Sequence, residues 1–598
     1  MALSRTQRTE LINTIQNSEE LSAEQKSQLL SLINHQKRYG LVWEDKPENV
    51  EERLRDELPV LHEVKERFID NNAADAPNHI LIEGDNLEAM TALSYTHEGK
   101  IDVIYIDPPY NTGNKDFIYN DSYVDTEDSY RHSKWLSFMS RRLKIAKRLL
   151  SDRGVMFISI DDNEQAQLKL LCDEVMGENN FVTHFIWQST PGSNTGDDIK
   201  TVTEYVTMYA KSKANLIVNK QLIADEKKYV NEDEYAEFRG KYILNKLDRR
   251  MTGSHYSDAL NYSLTVPDGS KLFPGSETTK QEHWNWRWSK AKVEWGIENG
   301  FIVFKKSKGR WAVYFKQYQY VDNNNDKIER ALPYQNLIKE IDGINSARGT
   351  QEIMTLMGNK AFDYPKPLEL IIFILKCVTK LDYTILDFFA GSGTTLHATM
   401  QLNAEDGGHR QCILVTNNEN GICENVTYER NKRVINGYIT PKGVVVEGLH
   451  NNRLRYYKTD YISRDRTMRN MRALVKTATD MLCIKENLYT EQKVMGRWRM
   501  KPDIARYFSD GTRHMLIIYN EQAARQLVEI IAGTDFGGAR LKIYIFSPTR
   551  YAFDDDFIDV EDKVQLVALP AAIYDAYQKV LPKRRMTTQG IDDTFTTD

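Results

Sequence analysis

The chain has 598 residues, of which 41% are hydrophobic and 27% charged, so it is too long for one compact core and we expect roughly three or four domains. The absence of a long apolar run excludes a membrane span, and the first ten residues lack the apolar core of a signal peptide, so we predict a cytoplasmic protein. The net charge of −6 is unusual for a nucleic-acid-binding protein. However, binding to nucleic acid depends on the charge of one face of the protein and not on the net charge of the whole chain.

The five cysteines predict no metal site. They are scattered without the paired close spacing of a zinc site or a disulfide framework: Cys172, Cys377, Cys412, Cys423 and Cys483. We expect reduced structural thiols.

The first two segments differ in pattern. Residues 1–75 carry helical periodicity and many charges, which predicts an N-terminal helical region packed on the next domain rather than a binding arm. In residues 76–180, the β-branched runs 79–82, 101–106 and 154–160 alternate with helical stretches. This alternation predicts a parallel α/β sheet.

The α/β pattern is interrupted and then resumes. Residues 181–360 are rich in Tyr, Trp, Asn and Lys, and we interpret them as an inserted domain. In residues 361–460 the alternation returns, with predicted strands at 383–389 and 411–416 and helices at 368–379 and 393–402. One sheet is therefore predicted to be assembled from both sides of the insertion. Residues 461–598 predict a small, separate α/β domain.

The first candidate for chemistry follows the predicted strand 101–106, where an open α/β sheet places its active site. Asp107-Pro108-Pro109-Tyr110 offers a carboxylate and an outward-aimed Pro108 carbonyl as acceptors for the protons of an exocyclic amine, and a flat Tyr110 ring on which a flipped base can stack. The alternative interpretation is a proline-rich turn after a strand. The next residues, with Asn111 and Phe117, predict a polar loop with aromatic rings that contacts DNA.

The second candidate is the segment 387–395, which runs from a strand through a glycine turn into a helix. Its glycines allow close approach of a ligand, and the helix start can receive a carboxylate, although an ordinary strand-to-helix turn would look similar. No third glycine or Gly-Lys-Thr follows, so S-adenosylmethionine fits better than a phosphate. The residues predicted to bind this cofactor are Asp387, Phe389, Gly391, Gly393 and Thr394.

Three smaller sites are predicted to complete the cofactor pocket. Asp85 and Asn86 follow the strand 79–82, and Glu419 follows the strand 411–416, where an acid commonly accepts from ribose hydroxyls. Lys366 lies in the segment 362–367, which can wall the pocket. For the first two sites a solvated loop acid is the alternative, and for the segment 362–367 the alternative is a proline-stopped loop before a helix.

With these motifs in place, the chain resembles an amino methyltransferase of the β-type motif order, and more closely the modification (Mod) subunit of Type III restriction-modification systems. The similarity covers nearly 400 residues and includes these segments: 39–44, 83–87, 104–114, 135–139, 157–162, 287–290, 364–367 and 387–395. The residues after Glu419 depart from the family pattern.

The resemblance implies a Rossmann-like S-adenosylmethionine-dependent methyltransferase sheet with an inserted target recognition domain. It also implies methylation of adenine N6 in double-stranded DNA, a homodimer, and a restriction (Res) helicase-endonuclease partner. Because the catalytic and cofactor motifs are complete without the two ends of the chain, we expect the C-terminal domain, together with the N-terminal helices, to serve assembly. Methylation of cytosine N4 uses the same chemistry and remains open, as does a stand-alone enzyme without a restriction partner. No P-loop is visible, so cleavage would belong to another chain.

The inserted region is interpreted as the target recognition domain. Residues 181–360 hold 26 Lys and Arg against 22 Asp and Glu, so this part is slightly positive although the whole chain is negative. Residues 305–310 offer cations for phosphates, with a solvated basic loop as the alternative interpretation. Residues 284–288 offer flat rings for bases, with a tryptophan core as the alternative. The predicted DNA-binding residues there are Trp286, Arg287, Lys305, Lys306, Lys308 and Arg310.

The sequence disfavours two rival functions. A nucleotide-binding oxidoreductase would need a third glycine near Leu396 and an acid about twenty residues further on, and neither is present. A DNA-binding module with a decayed active site is disfavoured by the intact Asp107 to Tyr110 motif.

Overall fold

The fold was determined as a computed structural model, which describes residues 14–15, 42–71, 75–114, 116–120, 122–191, 199–222, 228–251, 253–339, 343–378 and 381–584. Most of the predicted N-terminal helical region, residues 1–75, lies outside the described residues. By contact density the chain divides into two compact units, one formed by residues before 218 together with those after 334, and the other by 218–334. In the described part of the chain no helix is long and apolar enough to cross a membrane.

The first unit is built on a sheet of ten strands. In chain order the strands are β1 (Glu57–Glu63), β2 (Asn78–Glu83), β3 (Ile101–Ile106), β4 (Leu150–Ile160), β5 (Phe181–Gln188), β6 (Thr203–Ala210), β7 (Leu337–Ile338), β8 (Thr384–Asp387), β9 (Gln411–Thr416) and β10 (Arg453–Ser463). Their order across the sheet is β1-β10-β2-β9-β8-β3-β4-β6-β5-β7. The six strands from β10 to β4 are all parallel, which confirms the predicted α/β class.

The sheet is assembled from both sides of the insertion, as predicted. Strand β8, which follows the insertion, pairs in parallel with β3, which precedes it, and Leu386 lies opposite Ile104. Both strands are apolar and buried on both faces, as expected for the centre of a parallel sheet covered by helices. The turns after β3 and β8 therefore leave the same edge of the sheet on adjacent strands.

The α-helices are α1 (Asn49–Arg53), α2 (Asn86–Thr96), α3 (Arg131–Leu149), α4 (Gln165–Cys172), α5 (Ala236–Arg239), α6 (Lys290–Glu298), α7 (Ser346–Met357), α8 (Leu368–Lys376), α9 (Thr394–Asp406), α10 (Glu429–Asn436), α11 (Met468–Glu486), α12 (Ala524–Ala532) and α13 (Ala571–Gln578). Helix α3 shows how the sequence specifies packing. Its buried residues Trp135, Met139, Leu143 and Ala146 recur at helical spacing, so one face joins the core.

The predicted boundaries of the insertion are corrected by the sheet. Strands β5 and β6 lie inside the predicted domain 181–360, yet they pair with each other and with β4 in the main sheet. Strand β7 and helix α7 also belong to the first unit, so the compact inserted unit is 218–334. It contains a three-stranded sheet of Tyr242–Lys246, Arg310–Tyr318 and Ile302–Ser307.

The C-terminal region is not a separate domain. It forms a five-stranded sheet, with its own apolar cluster on one face, from β11 (Glu491–Gln492), β12 (Ala505–Ser509), β13 (His514–Ile518), β14 (Leu541–Phe546) and β15 (Val564–Leu569). The other face and helix α11 share one buried core with the main sheet, to which Leu474, Met481, Phe508 and Tyr577 contribute. The prediction of a separate domain for 461–598 is therefore wrong, because burial joins this region to the core.

Short two-stranded ribbons complete the fold. In the first unit they pair Ile118–Tyr119 with Ser122–Tyr123, Tyr438–Ile439 with Val445–Val446, and Val494–Met495 with Trp498–Arg499. In the second they pair Lys220–Leu222 with Ala331–Pro333, Asp248–Arg250 with Trp284–Trp286, and Leu264–Thr265 with Lys271–Leu272.

Candidate active site

Asp107 begins the turn after β3, and Lys366 reaches it from the loop before α8. Lys366 Nζ lies 2.9 Å from Asp107 Oδ2, and the two side chains are 12% and 24% exposed. Asp107 Oδ1 is buried and accepts a hydrogen bond from none of the described residues. Burial raises the pKa of Asp107, and the Lys366 ammonium opposes that rise. The carboxylate therefore has one oxygen held by a cation and one oxygen left as an acceptor.

Tyr110 is fixed at the same place by Glu204, which lies in β6. The Tyr110 hydroxyl donates to Glu204 Oε2 at 2.9 Å, and the same oxygen lies 3.8 Å from Lys366 Nζ. The Lys366 ammonium also lies 4.9 Å from the centre of the Tyr110 ring. Burial lowers the pKa of Lys366, but the carboxylates of Asp107 and Glu204 outweigh it and hold this pKa above its ordinary value. Lys366 is therefore charged at neutral pH.

The prediction that Lys366 binds the cofactor is corrected by these distances, because its ammonium is held at Asp107 instead. Glu204 was missed by the sequence analysis. It stands in a region interpreted as inserted, and only the pairing of β6 with β4 brings it to the edge of the sheet where Asp107 lies.

The two prolines of the turn differ in burial. Pro108 is buried, and Pro109 is partly exposed. The indole Nε1 of Trp135 donates to the Pro109 carbonyl at 2.7 Å. This bond fixes the second proline of the turn to helix α3.

Asn111 and Phe117 were predicted to contact DNA, and the structure contradicts this for both. Asn111 is 1% exposed, and its amide donates to Glu164 Oε1 at 2.5 Å. Phe117 is also 1% exposed and packs edge-on against Phe138. Their role is to hold the loop after Tyr110 onto the core, where burial raises the pKa of Glu164 to about 8.

A cavity of about 310 Å³ lies beside this turn, at the carboxyl ends of β2, β8 and β9. That volume falls at the lower end of the range for small-molecule sites. The predicted cofactor residues Asp85, Asn86, Phe389 and Glu419 line it, as does Pro109 of the turn. Its other lining residues are Glu48, Asn49, Val50, Gly84, Asp116, Ile118, Asn120, Phe138, Phe388, Val415, Thr416 and Asn417.

Asn86 and Asp85 also carry structural bonds. The Asn86 amide donates to the Phe388 carbonyl at 3.0 Å and so ties the end of β2 to the end of β8. Asp85 caps helix α2 by accepting from the Leu87 amide at 2.7 Å. Behind them, the buried Arg142 donates to the Asn86 side chain and pairs with Glu48 at 2.8 Å. The lining of the cavity is therefore rigidly held.

The turn 387–395 is set by Asp387, whose two carboxylate oxygens are both engaged. One accepts from the Phe389 amide at 2.9 Å and the other from the Thr395 hydroxyl at 2.6 Å. Burial raises the pKa of Asp387 to about 7. Asp387 is thus a positioning residue for Phe389, and direct binding of a ligand by its side chain, as predicted, is not what these bonds favour.

Gly391 and Gly393 are both in the left-handed region, with φ of 48° and 76°. A Cβ at Gly391 would lie 3.2 Å from the Phe362 ring, and one at Gly393 would lie 2.5 Å from the Asn431 amide. Neither glycine lines the cavity. They are required by the backbone conformation and by close packing, which is a different reason from the close approach of a ligand that the sequence indicated.

Thr394 links this turn to Lys366. Its hydroxyl donates to the Lys366 carbonyl at 3.2 Å and accepts from the fully buried Arg430 at 2.7 Å. Burial lowers the pKa of Arg430 to about 10. Arg430 was missed by the sequence analysis, since a charged residue in a polar helix carries no signal of burial. Thr394 and Arg430 thus position the backbone of Lys366.

In the inserted unit, the predicted DNA-binding cations are accessible. Arg287, Lys305, Lys306, Lys308 and Arg310 are all exposed. Lys308 and Gly309 form the turn between the two strands that carry the cluster, and Lys306 pairs with Asp268 at 3.0 Å. Trp286 is 1% exposed and its indole donates to the Tyr262 carbonyl at 2.8 Å, so it belongs to the core of this unit and the prediction that it contacts DNA is corrected.

Three curated relatives resemble the chain. It is 33% identical over 374 residues to the Type III restriction-modification enzyme StyLTI Mod subunit of Salmonella typhimurium (strain LT2), covering 58% of this chain and 54% of that protein. It is 34% identical over 383 residues to the EcoPI Mod subunit of Escherichia phage P1, covering 57% and 58%. It is 33% identical over 374 residues to the Type II methyltransferase M.KpnI of Klebsiella pneumoniae, covering 60% and 86%.

The resemblance to Type III modification subunits is thus confirmed, and the chain spans little more than half the length of the two to which it is compared. Among solved structures, PvuII DNA methyltransferase (cytosine-N4-specific) is 13% identical with a TM-score of 0.31, covering 60% of this chain and 88% of that one. The family model for DNA methylases matches residues 101–438, from β3 through the turn 387–395 to the residues after α10. This span is more than half of the chain and holds both turns on adjacent strands of one sheet, so the chain belongs to the DNA methylase family.

Proposed function

We propose that this chain transfers a methyl group from S-adenosylmethionine to the N6 amine of an adenine flipped out of duplex DNA. The observation that carries the proposal is Asp107 Oδ1, a buried carboxylate oxygen that accepts no hydrogen bond from the described residues and that lies on the turn whose Pro109 lines a cavity of about 310 Å³. A buried acceptor without a donor is costly, and the amine of a substrate base is a donor that satisfies it.

The residues of the turn divide the work on the base. Asp107 Oδ1 and the Pro108 carbonyl accept hydrogen bonds from the two amine protons, and this stabilises the nitrogen as it leaves the plane of the ring. Tyr110, held by its bond to Glu204, offers a face for stacking. The amine proton finally passes to Asp107 or to solvent, which leaves the product amine neutral.

Lys366 supports selection of the base. Its ammonium, 2.9 Å from Asp107 Oδ2, can also donate to the ring nitrogen next to an exocyclic amine. Adenine and cytosine each have only an acceptor nitrogen beside the carbon that bears the amine. Guanine has an N–H group there as well as an acceptor, and thymine has no exocyclic amine. The Asp107–Lys366 pair therefore fits adenine and cytosine, and the similarity to Type III modification subunits favours adenine between them.

The lining of the cavity fits the cofactor. Phe389 supplies an apolar face for an adenine ring, Glu419 a carboxylate for ribose hydroxyls, and Asp85 and Asn86 further polar contacts. Gly391, Gly393 and Thr394 shape the turn that carries Phe389 and the backbone of Lys366. When bound, the cofactor supplies an electrophilic methyl group.

The DNA contacts and partners follow the same proposal. The inserted unit, 218–334, is proposed as the target recognition domain, with its exposed cations, Arg287, Lys305, Lys306, Lys308 and Arg310, on phosphates. Two relatives are named Mod subunits of Type III restriction-modification enzymes, which supports a role for this chain as one subunit of such an enzyme. The assembly proposed for it is a homodimer with a Res helicase-endonuclease partner.

The test is methyl transfer by the purified full chain. The chain is incubated with unmodified genomic DNA and radiolabelled S-adenosylmethionine. The DNA is then digested to nucleosides, and the labelled nucleoside is identified by its mass. We expect label in N6-methyladenine, and Asp107→Ala should remove it. Label in N4-methylcytosine would establish the other amine as the acceptor, and no label in DNA at all would refute the proposal.

A further inference from the structure

A second basic surface lies far along the chain from the inserted unit, on a ribbon that the proposed function does not use. The basic hairpin, residues 493–501, has the sequence Lys-Val-Met-Gly-Arg-Trp-Arg-Met-Lys, with four cations and no acid. Its two strands, Val494–Met495 and Trp498–Arg499, are antiparallel. It belongs to the first compact unit, outside 218–334.

The hairpin is held firmly at its base. Met495 is fully buried in the apolar cluster of the five-stranded sheet, and Met500 packs against that cluster. Gly496 has φ of 60° and Arg497 is not in the left-handed region, which matches a type II′ turn with glycine at its first central position. A Cβ at Gly496 would lie 2.5 Å from the Thr534 hydroxyl, so the turn packs closely on the domain.

The outward residues have no partner of their own in the part of the chain that the structure describes. Lys493, Arg497, Arg499 and Lys501 are exposed, and none of them makes a side-chain hydrogen bond or ion pair there. Trp498 is 58% exposed between two of these arginines. Trp498 lies opposite Met495 and Arg499 opposite Val494, so the indole and the Arg499 side chain project from opposite faces of the ribbon. The exposed cations, rather than the ring, are therefore the feature that calls for a ligand.

We infer that the basic hairpin is a second DNA-binding surface that holds the phosphodiester backbone of the duplex without reading sequence. The argument is charge complementarity. Four unpaired cations stand together on a chain whose net charge is −6, and a polyanion is the ligand that they fit. Backbone contacts position a protein on DNA, while base contacts specify the site. The hairpin would thus add affinity for any duplex to the contacts proposed for the inserted unit.

The experiment uses a DNA duplex that the full chain does not methylate. Binding of the chain to this duplex is measured by fluorescence anisotropy over a range of salt concentrations. The variant carries Lys493→Gln, Arg497→Gln, Arg499→Gln and Lys501→Gln, which keeps Met495 and Gly496 in place. Each phosphate contact contributes about 0.9 to the slope of log affinity against log salt, so we expect this slope to fall by about 2 to 4 and affinity at low salt to fall by about 10- to 100-fold.

A matched control separates local from bulk charge. It carries Arg153→Gln, Lys442→Gln, Arg469→Gln and Lys476→Gln, which are exposed elsewhere on the first unit and change the net charge by the same amount. We expect its slope to match the wild type. In addition, Trp498→Ala should weaken binding several-fold and leave the slope unchanged, because the indole carries no charge.

The inference rests on the proposed function in taking DNA as the ligand, and the outcomes distinguish the two. If the wild-type chain binds no DNA, the proposed function fails with it. If the wild type binds but the hairpin variant has the same slope and affinity, or the control loses as much, the hairpin inference alone is overturned. A variant that binds DNA normally but changes its self-association by light scattering also overturns it, since the surface would then serve a protein contact.

Discussion

Replacing Lys366 by methionine tests the arrangement at the turn after β3. The substitution keeps most of the side-chain length and removes the ammonium that lies 2.9 Å from Asp107 Oδ2 and 3.8 Å from Glu204 Oε2. Two carboxylates would then face each other in a largely buried place without a cation. We expect methyl transfer to slow because Asp107 must be ionised to accept from the substrate amine.

The size of the effect follows from the distance. At 2.9 Å and an effective dielectric of about 20, the attraction between unit charges is about 6 kcal/mol. The side chains of Lys366 and Asp107 retain 12% and 24% exposure, and water can enter the space that the ammonium leaves. We therefore expect about 2 to 3 kcal/mol to be lost, which corresponds to a rate roughly 30- to 160-fold lower near neutral pH.

The direction of the pH dependence is fixed by the same contacts. Burial raises the pKa of Asp107, and Lys366 is the charge that opposes this rise. Without Lys366 the pKa of Asp107 rises further, so the acid limb of the rate profile moves to higher pH and the rate recovers as the pH is raised.

The assay is single-turnover methyl transfer at saturating DNA and cofactor, from about pH 6 to about pH 9. Lys366→Arg, which keeps the charge, should lose less activity. Lys376→Met removes the same charge from an exposed pair with Glu405 and should behave as wild type. The reasoning would be refuted if the acid limb of the Lys366→Met rate profile stayed at the pH of the wild type. A loss of methyl transfer rate of less than about threefold would refute it as well.

Three further predictions concern the two turns. Asp107→Ala should lower the methyl transfer rate by at least about 100-fold, as for loss of a preorganised acceptor, while DNA affinity by anisotropy stays within about twofold of wild type. Gly391→Val places a β-branched residue at φ of 48°, so we expect S-adenosylmethionine affinity, measured by calorimetry, to fall more than about tenfold and the unfolding midpoint to be lower. Unchanged affinity would remove the turn from the cofactor site. Glu419→Ala should weaken the same binding by about 10- to 100-fold, since a charge-assisted hydrogen bond contributes about 1.5 to 3 kcal/mol, and equal affinity would refute a contact with the ribose.

The central sheet was predictable because its strands carry a signal that sequence alone contains. The runs that became β2, β3 and β9 are short, apolar and bounded by polar turns, and strand 411–416 was placed with the bounds that β9 has. Once the two motif-bearing turns are assigned to strand ends, parallel topology brings them to one edge. That β8 lies directly beside β3 was expected from the resemblance to a methyltransferase sheet, because parallel topology alone does not fix the order of the strands.

Strands β5 and β6 lacked that signal. Their burial is mixed, with apolar and polar residues interleaved along β5, because they lie toward one edge of the sheet. Such strands resemble the strands of an inserted domain, so the boundary was placed at 181 rather than 218. Glu204 was lost with β6, although it holds Tyr110.

Side-chain burial was the other limit. Asn111, Phe117 and Trp286 are residue types that contact DNA when exposed and that fill cores when buried, and composition does not distinguish these cases. The contact of Lys366 with Asp107 could not be predicted for a different reason. It joins residues far apart in the chain, and it depends on where the loop before α8 passes the sheet.

The shared core also limits what the C-terminal region can be. The proposed boundary near Asp460 lies inside β10, where Asp460 pairs with Val60 of the edge strand β1, and helix α11 packs against β1 and α2. A chain ending there would lose the strand end that holds β1, and without Leu474 and Met481 it would expose the core residues that these side chains cover. Truncation near Asp460 therefore removes part of the core as well as any contact surface, so it cannot separate assembly from folding. Substitutions of exposed residues on the outer surface of the C-terminal region leave this core in place, and light scattering of such variants tests assembly alone.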